Sequence, residues 1–457
     1  MDEQLWQNIL DFNLDEPVSA YSFSTRLENE NFWTINFAQG AIIEYKKFMY
    51  LAAVSEYMVS PSPIVDVVWH QHLVFTQSYD EFCRVLGKKI VHVPSTHHTA
   101  DFERFKSASD RTGKLYAENF GPQPPEFWEY EDIYGSLLMS QSSLSPIKVT
   151  AIGTPILLAA AFGAYWLFLP TYVLINNPDF LLYYLLIIGA CFIALEFYNL
   201  ITLNKIIDSR QKCAFVFNLS ALELVYLRKN KIADVINGVV SQLVSSGKVS
   251  AFPNNTLAVN DPAAMNTPME ICVLQTVDAN PNTGYDSLVK QLALKPAFNK
   301  TARAMDGLNA YVCSSKKFIG LYITNFVLFA IVFCWGGGRL ITGITRDRPV
   351  TLIAAVLIAF AIFAFVYLAR LTSAIGTITL PKFYYKNIVP QKSEDDWEWH
   401  YFAIGSIAFA ATFAPLASFA DRSQSSGWGG GDSGSSGGSS CGSSCGGGSS
   451  CGGCGGS

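Results

Sequence analysis

Five of the six histidines in this 457-residue chain fall between His70 and His98. The stretch reads PSPIVDVVWHQHLVFTQSYDEFCRVLGKKIVHVPSTHHTADF and holds His70, His72, His92, His97 and His98. Imidazole binds transition metals and exchanges protons near neutral pH, so this is where the chain is richest in candidate chemistry. The expected ligands are His70, His72 and His92, with Asp66 bracing an imidazole from behind. Zinc or copper is the class of metal such a set implies, and a metal there would activate water for hydrolysis. The spacing is neither H-E-x-x-H nor a paired C-x-x-C set. The competing reading makes His70 a core histidine bonded to Asp66, with His97 and His98 in solvent. Cys83 lies about three helical turns from His72 by rise alone, too far for direct activation as a nucleophile.

Positioning these groups requires a helix followed by a chain that folds back. Ser62 as N-cap and Pro63 at the first helical position predict a helix start, and Gly87 predicts its end after about Leu86. Asp66 and His70, four residues apart, share a face of that helix. His72, two residues on, points elsewhere, so the apparent H-x-H pair is split. His92 falls in a strand-like run, Lys89 to Val93, and His97–His98 in the polar turn after Pro94. Trp69, Phe75, Phe82 and Trp128 read as core, and Glu126 and Glu129 as solvated surface charge.

A second cluster of ligand types lies at the other end. Residues 423–457 are almost entirely Gly, Ser and Cys, with Asp432 their one charge. Cys441, Cys445, Cys451 and Cys454 are spaced C-x3-C-x5-C-x2-C, and four thiolates can hold zinc or Cu(I). This composition cannot bury a core and predicts a disordered tail. The alternative is a flexible tail whose thiols are exposed, oxidised or modified.

Between these ends the chain reads as membrane. Half of its residues are hydrophobic and 15% are charged, against about a quarter in typical soluble proteins. The first residues, MDEQLWQNIL, lack the basic start of a secretory signal. Four stretches are long enough to span: about 151–174, 180–203 interrupted by Glu196, the uncharged run between Lys317 and Arg339, and that between Arg348 and Arg370. They form two hairpins, 149–203 and 318–370. A linker, 371–400, leads to a fifth candidate segment, 401–420, rich in Ala, Ser and Gly, which either spans, lies at the interface or packs against the other helices. Lys205, Arg210, Lys212, Lys316 and Lys317 flank the middle segment, predicting a multi-pass protein of the cell membrane with its N-terminal domain in the cytoplasm. Arg339, Arg346 and Arg348, on the loop between spans three and four, oppose that orientation. Glu196 is expected to reach headgroups or a basic partner such as Lys205, since the spans show no set of polar residues of the kind transporters use.

Residues 1–147 carry 20 acids and 10 bases, which argues against nucleic acid as a partner. The middle segment, 204–317, reads helix, helix from about Lys231 to Ser245, then a hairpin turning at Asn254–Asn255. That order predicts a small winged-helix-like α/β domain. With Lys231 the one base of its second helix, protein docking is the expected role rather than DNA reading.

Two resemblances add to these readings. PSPIVDVVWHQHLVFTQSYDEFC, with Asp66, Trp69, His70, His72, Tyr79 and Cys83, and IVHVPS around His92 resemble the glycine-rich domain-containing protein-like family. LSALELVYLRKNKIADVINGVVSQLVSSGKV, GLYITNFVLFAIVFCWGGGRLITGITRDRPVTLIAAVLIAFAIF and the Gly/Cys tail resemble a bacterial membrane-protein family of unknown function. The resemblances imply an architecture and carry no established activity or catalytic residues.

The chain is therefore expected to be mainly α-helical: a helical N-terminal domain, two membrane hairpins around a small winged-helix-like domain, and a disordered tail. The expected function is a membrane-anchored binding or scaffold protein with lipid and protein partners. Two alternatives remain, a metal-dependent hydrolase in the head, and a carrier for a tail that binds metal or is modified at its thiols.

Overall fold

The computed structural model describes residues 1–93, 99–175, 177–208, 214–260, 267–393, 395–425 and 454–456. The chain is mainly helical and divides into two compact units. The first gathers residues 1–137, 211–305 and 385–457, and the second residues 138–210 and 306–384.

In the first unit the head contributes α1 (Glu3–Asp11), α2 (Phe23–Asn31), α3 (Ile35–Val54), α4 (Pro63–Val74), α5 (Thr76–Leu86), the short strand β1 (Ile90–His92), α6 (Thr99–Phe120) and α7 (Pro125–Trp128). Helix α3 is the axis of this part. Tyr45, Phe48, Met49 and Leu51 are all fully buried on it. Such a helix, apolar most of the way round, gains stability from being packed on several sides. The middle segment adds α10 (Ala221–Lys229), α11 (Ile232–Ser245), the hairpin β2–β3 (Val249–Ala251, Leu257–Val259), α12 (Pro268–Ala279), α13 (Tyr285–Ala293) and the start of α14 (Pro296–Cys313). Ser220 and Glu223 cap α10 reciprocally, and Asn255 takes the left-handed conformation at the hairpin turn.

Head and middle segment are joined by buried polar contacts. The Glu223 carboxylate accepts from the backbone amide of Ile35, and Lys300 pairs with Glu28 at 2.8 Å with both side chains buried. Burial raises the Glu223 pKa to about 7, against the lowering effect of the amides it accepts from.

The second unit holds the four helices that are long and apolar enough to cross a membrane: α8 (Pro146–Leu174), α9 (Asn177–Asp208), α15 (Lys316–Thr345) and α16 (Thr351–Ala374). Helix α16 continues through a wider π-type turn, Ile375–Thr379, into α17 (Leu380–Asn387). Gly336 and Gly338 on α15 leave room for two tyrosines that a methyl group would exclude. Tyr184 Oη donates to the Val332 carbonyl and Tyr172 Oη to that of Trp335. Small residues permit this close approach between apolar helices.

Two expectations are corrected. Residues 401–420 are not one membrane-length helix. They break into α18 (Trp397–Ile404), a short turn at Gly405–Ala408, and α19 (Ala414–Ser425). Gly405 takes a positive φ that ends α18, and the aromatics bury against the middle segment: Tyr401 Oη donates to the Asp234 carbonyl and Phe413 packs on Tyr285. Glu196 meets a basic partner, as expected, but in Arg370 rather than Lys205. It accepts from Tyr367 Oη at 2.9 Å and lies 3.4 Å from Arg370. Tyr367 Oη also accepts from Asn199, whose amide exchanges two 2.8 Å hydrogen bonds with Asn325. The spans thus hold a polar set after all, with Glu196 and Asn199 from α9, Asn325 from α15, and Tyr367 and Arg370 from α16.

Candidate metal site in the head

Helix α4 starts as its residues require. Ser62 Oγ accepts from the Val65 amide and donates to the Phe127 carbonyl, and Pro63 occupies the first turn. The helix does not run to Leu86. It stops at Phe75 (φ −88°, ψ 62°), and α5 restarts at Thr76. Thr76 and Ser78 are poor interior helix residues, and Phe75 packs its ring on Phe23. The bend brings α5 back over α4.

That return decides the fate of His72, which is fully buried. Its Nδ1 lies 2.8 Å from Tyr45 Oη and its Nε2 3.1 Å from Ser78 Oγ. Phe23, Phe82 and Tyr79 surround the ring. With both nitrogens engaged, His72 has none to give a metal. Burial pushes its pKa down to about 4, so the ring is neutral near pH 7. The expected ligand set is corrected here: His72 is a core residue.

His92 is delivered by a different set of contacts. Gly87, at φ 69°, ends α5, and Lys88 Nζ donates to the Ser55 carbonyl at 3.1 Å. Trp69 Nε1 donates to Tyr79 Oη, which donates to the Ile90 carbonyl at 2.6 Å. These bonds pin β1 against α4. His92 then lies with its ring 4.3 Å from that of Trp69 and its Nε2 3.1 Å from Asp66 Oδ1. His70 Nδ1 approaches the other oxygen, Asp66 Oδ2, at 3.5 Å.

Asp66, His70 and His92 therefore converge, with one ligand atom from each inside 4.8 Å of the other two. Two ligands about 2.1 Å from a tetrahedral ion stand about 3.4 Å apart. The two carboxylate–imidazole distances, one to each oxygen of Asp66, lie on either side of that separation. Asp66, expected behind the site, offers one of the three converging ligand atoms itself. The set has a closed and an open side: the side chains of Asp66 and His92 are 8% and 10% exposed, that of His70 47%. Two imidazoles and a carboxylate with one side facing solvent suit a divalent transition ion that keeps coordination positions for water.

Of the remaining expected ligands, Cys454 is the backbone register partner of His92. His97 and His98 lie outside the described residues, as do Cys441, Cys445 and Cys451. Cys454 is described through its backbone, in the strand β4 (Cys454–Gly456) paired antiparallel with β1. Cys83 is buried on α5.

One polar cluster in the head escaped the sequence reading. Glu44, on α3, accepts from Lys47, Tyr116 and Trp128, each at 2.7 Å. Burial, together with its bond to Glu44, raises the Tyr116 pKa. Glu126, expected in solvent, is half-buried, and burial followed by the nearby Glu44 charge raises its pKa. No spacing along the chain signals the cluster, because its members come from α3, α6 and α7.

Comparison with known proteins places this part of the chain but not its chemistry. A model of the uncharacterised family described as UCP032817-like matches residues 28–108, a stretch that contains Asp66, His70 and His92. Neither the curated proteins nor the solved structures contain a match.

Proposed function

We propose that the chain is a membrane-anchored metal-binding protein, with Asp66, His70 and His92 as the protein ligands of a zinc-class divalent ion in its head. The observation that carries this reading is the convergence of the three groups at spacings a metal would use. A structural ion pair would need one imidazole beside the carboxylate. Here two flank it from separate elements. With His70 half-exposed, the remaining coordination positions face solvent, and a metal so held supplies an acidified water for hydrolysis. Trp69 and Tyr79 act as positioning residues, since they hold β1 and hence His92.

In this reading four membrane helices anchor the head, which lies on the cytoplasmic side. The α10–α11–hairpin segment is a winged-helix-like docking unit. Its partner is the chain itself, through Glu223 to the head and through Asp234 and Arg228 to α18.

Metal analysis of the full-length protein, purified without chelators, tests the proposal. The expected content is about one equivalent of metal, retained when Cys441, Cys445, Cys451 and Cys454 are all changed to Ser and lost in Asp66→Asn and His92→Ala. Metal content that is unchanged in both head variants, or negligible in a folded wild-type protein offered zinc, would overturn it.

A further inference from the structure

The loop between α15 and α16 carries arginines at the end of the membrane unit where its apolar spans turn. There Arg339, Arg346 and Arg348 line a cavity of about 750 Å³, together with Tyr172, Phe180 and the first turn of α16. We propose that this cavity binds the phosphate of an anionic phospholipid headgroup.

The three arginines do not play equal parts. Arg339 is committed within the protein. Its guanidinium donates to the carbonyls of Tyr172 and Ile175, which end α8, and lies 5.0 Å from the Phe180 ring centre. A cation at a helix C-terminus satisfies carbonyls that have no partner within the helix. Arg346 and Arg348 are exposed, and neither has an ion pair among the described residues. Among the described residues of the cavity wall Asp179 is the one carboxylate, so this lining carries three positive charges against one negative. The cavity is therefore electrostatically incomplete and attracts an anion. Val350 precedes α16 and has no side chain to cap it, which leaves amides of the first turn open to the same anion.

The depth of the cavity selects the anion. Both loops that form it join membrane-length apolar helices, so it lies where hydrocarbon gives way to headgroups. Leu181, Leu352 and Ile353 add an apolar side to the wall, matching the glycerol and upper acyl chain that accompany a lipid phosphate. Basic pockets between membrane helices bind headgroups through this combination of charge and apolar wall. The assignment also accounts for the arginines that run against the orientation set by the other basic residues. They serve a ligand rather than the topology.

The test is native mass spectrometry of the full-length protein, released from bilayers containing equal phosphatidylglycerol and phosphatidylcholine. The expected result is one retained phosphatidylglycerol, favoured about tenfold over phosphatidylcholine, with the preference lost in R346Q/R348Q while the melting temperature in detergent is kept. Equal retention of the two lipids by the wild type would overturn the proposal without reference to any variant. An undiminished preference in the folded double variant would also overturn it. Millimolar inorganic phosphate is expected to leave the lipid in place. Displacement by phosphate would overturn the lipid assignment in favour of a free anion.

Discussion

Two polar clusters in this chain are built on opposite plans. In the membrane unit, Asn199 and Asn325 exchange paired amide hydrogen bonds, Tyr367 links them to Glu196, and Arg370 stands beside that carboxylate. Each donor there faces an acceptor, and the one acid has a base. In the head, one carboxylate faces two imidazoles and the third side is open to water. The first arrangement has a partner for every charge, and its buried core, Asn199 with Asn325, is complete as it stands, because buried polar groups among apolar helices must satisfy one another. The second is complete only with a cation. A closed cluster reads as structure and an open one as a site.

Substitutions separate the two kinds of cluster, and the largest effect is expected at His72. His72 belongs to the closed kind although it sits two residues from His70. His72→Ala removes a buried ring and takes a hydrogen-bond partner from Tyr45 and from Ser78, and should cost about 3–5 kcal/mol of stability in thermal or denaturant unfolding. Metal content per folded molecule should be unchanged. Asp66→Asn is expected to do the reverse, weakening zinc affinity by about 100-fold in a competition titration while shifting stability by less than about 1 kcal/mol. In the membrane network, Asn325→Leu should cost roughly 1–2 kcal/mol because it removes the donor to the Asn199 side-chain oxygen among apolar helices. Asn199→Leu with Asn325→Leu should recover part of that loss, which a double-mutant cycle measures.

The smallest expected effect is in pH dependence, where two buried groups of the first unit oppose each other. The folded-state pKa of His72 is lowered from 6.5 to about 4, so its contribution to stability is present above pH 6.5 and lost as pH falls toward 4. Glu223 is raised from 4.5 to about 7, so it costs stability above pH 7 and the cost is relieved as pH falls toward 4.5. Unfolding from pH 7 to 4.5 should therefore depend less on pH in the wild type than in Glu223→Gln, which keeps the His72 term alone. A Glu223→Gln profile no steeper than the wild type would contradict this.

Local signals carried much of this into the sequence. Ser62–Pro63 marks the start of α4, Gly87 the end of α5, and the uncharged runs mark the four spans, because each depends on neighbouring residues. The four-residue step from Asp66 to His70 likewise put both on one face. The rest depends on tertiary contacts. The bend at Phe75 follows from packing on Phe23 and from Ser78 reaching His72, and no periodicity encodes either. His72 could be separated from His70 by helical phase, yet its burial rests on Tyr45, from another helix. The membrane network is spread over α9, α15 and α16, with at most two residues from any one of them, so no one span stood out. The stretch 401–420 has membrane-like composition, but its aromatics serve the middle segment instead.

X-ray absorption at the zinc edge of the full-length, zinc-loaded protein tests the central claim most directly, because it reads the ligand atoms themselves. The account predicts nitrogen and oxygen ligands at about 2.0–2.1 Å, with the outer-shell signature of two imidazoles and no sulfur. A shell of sulfur at about 2.3 Å would place the metal on cysteines and contradict the head site.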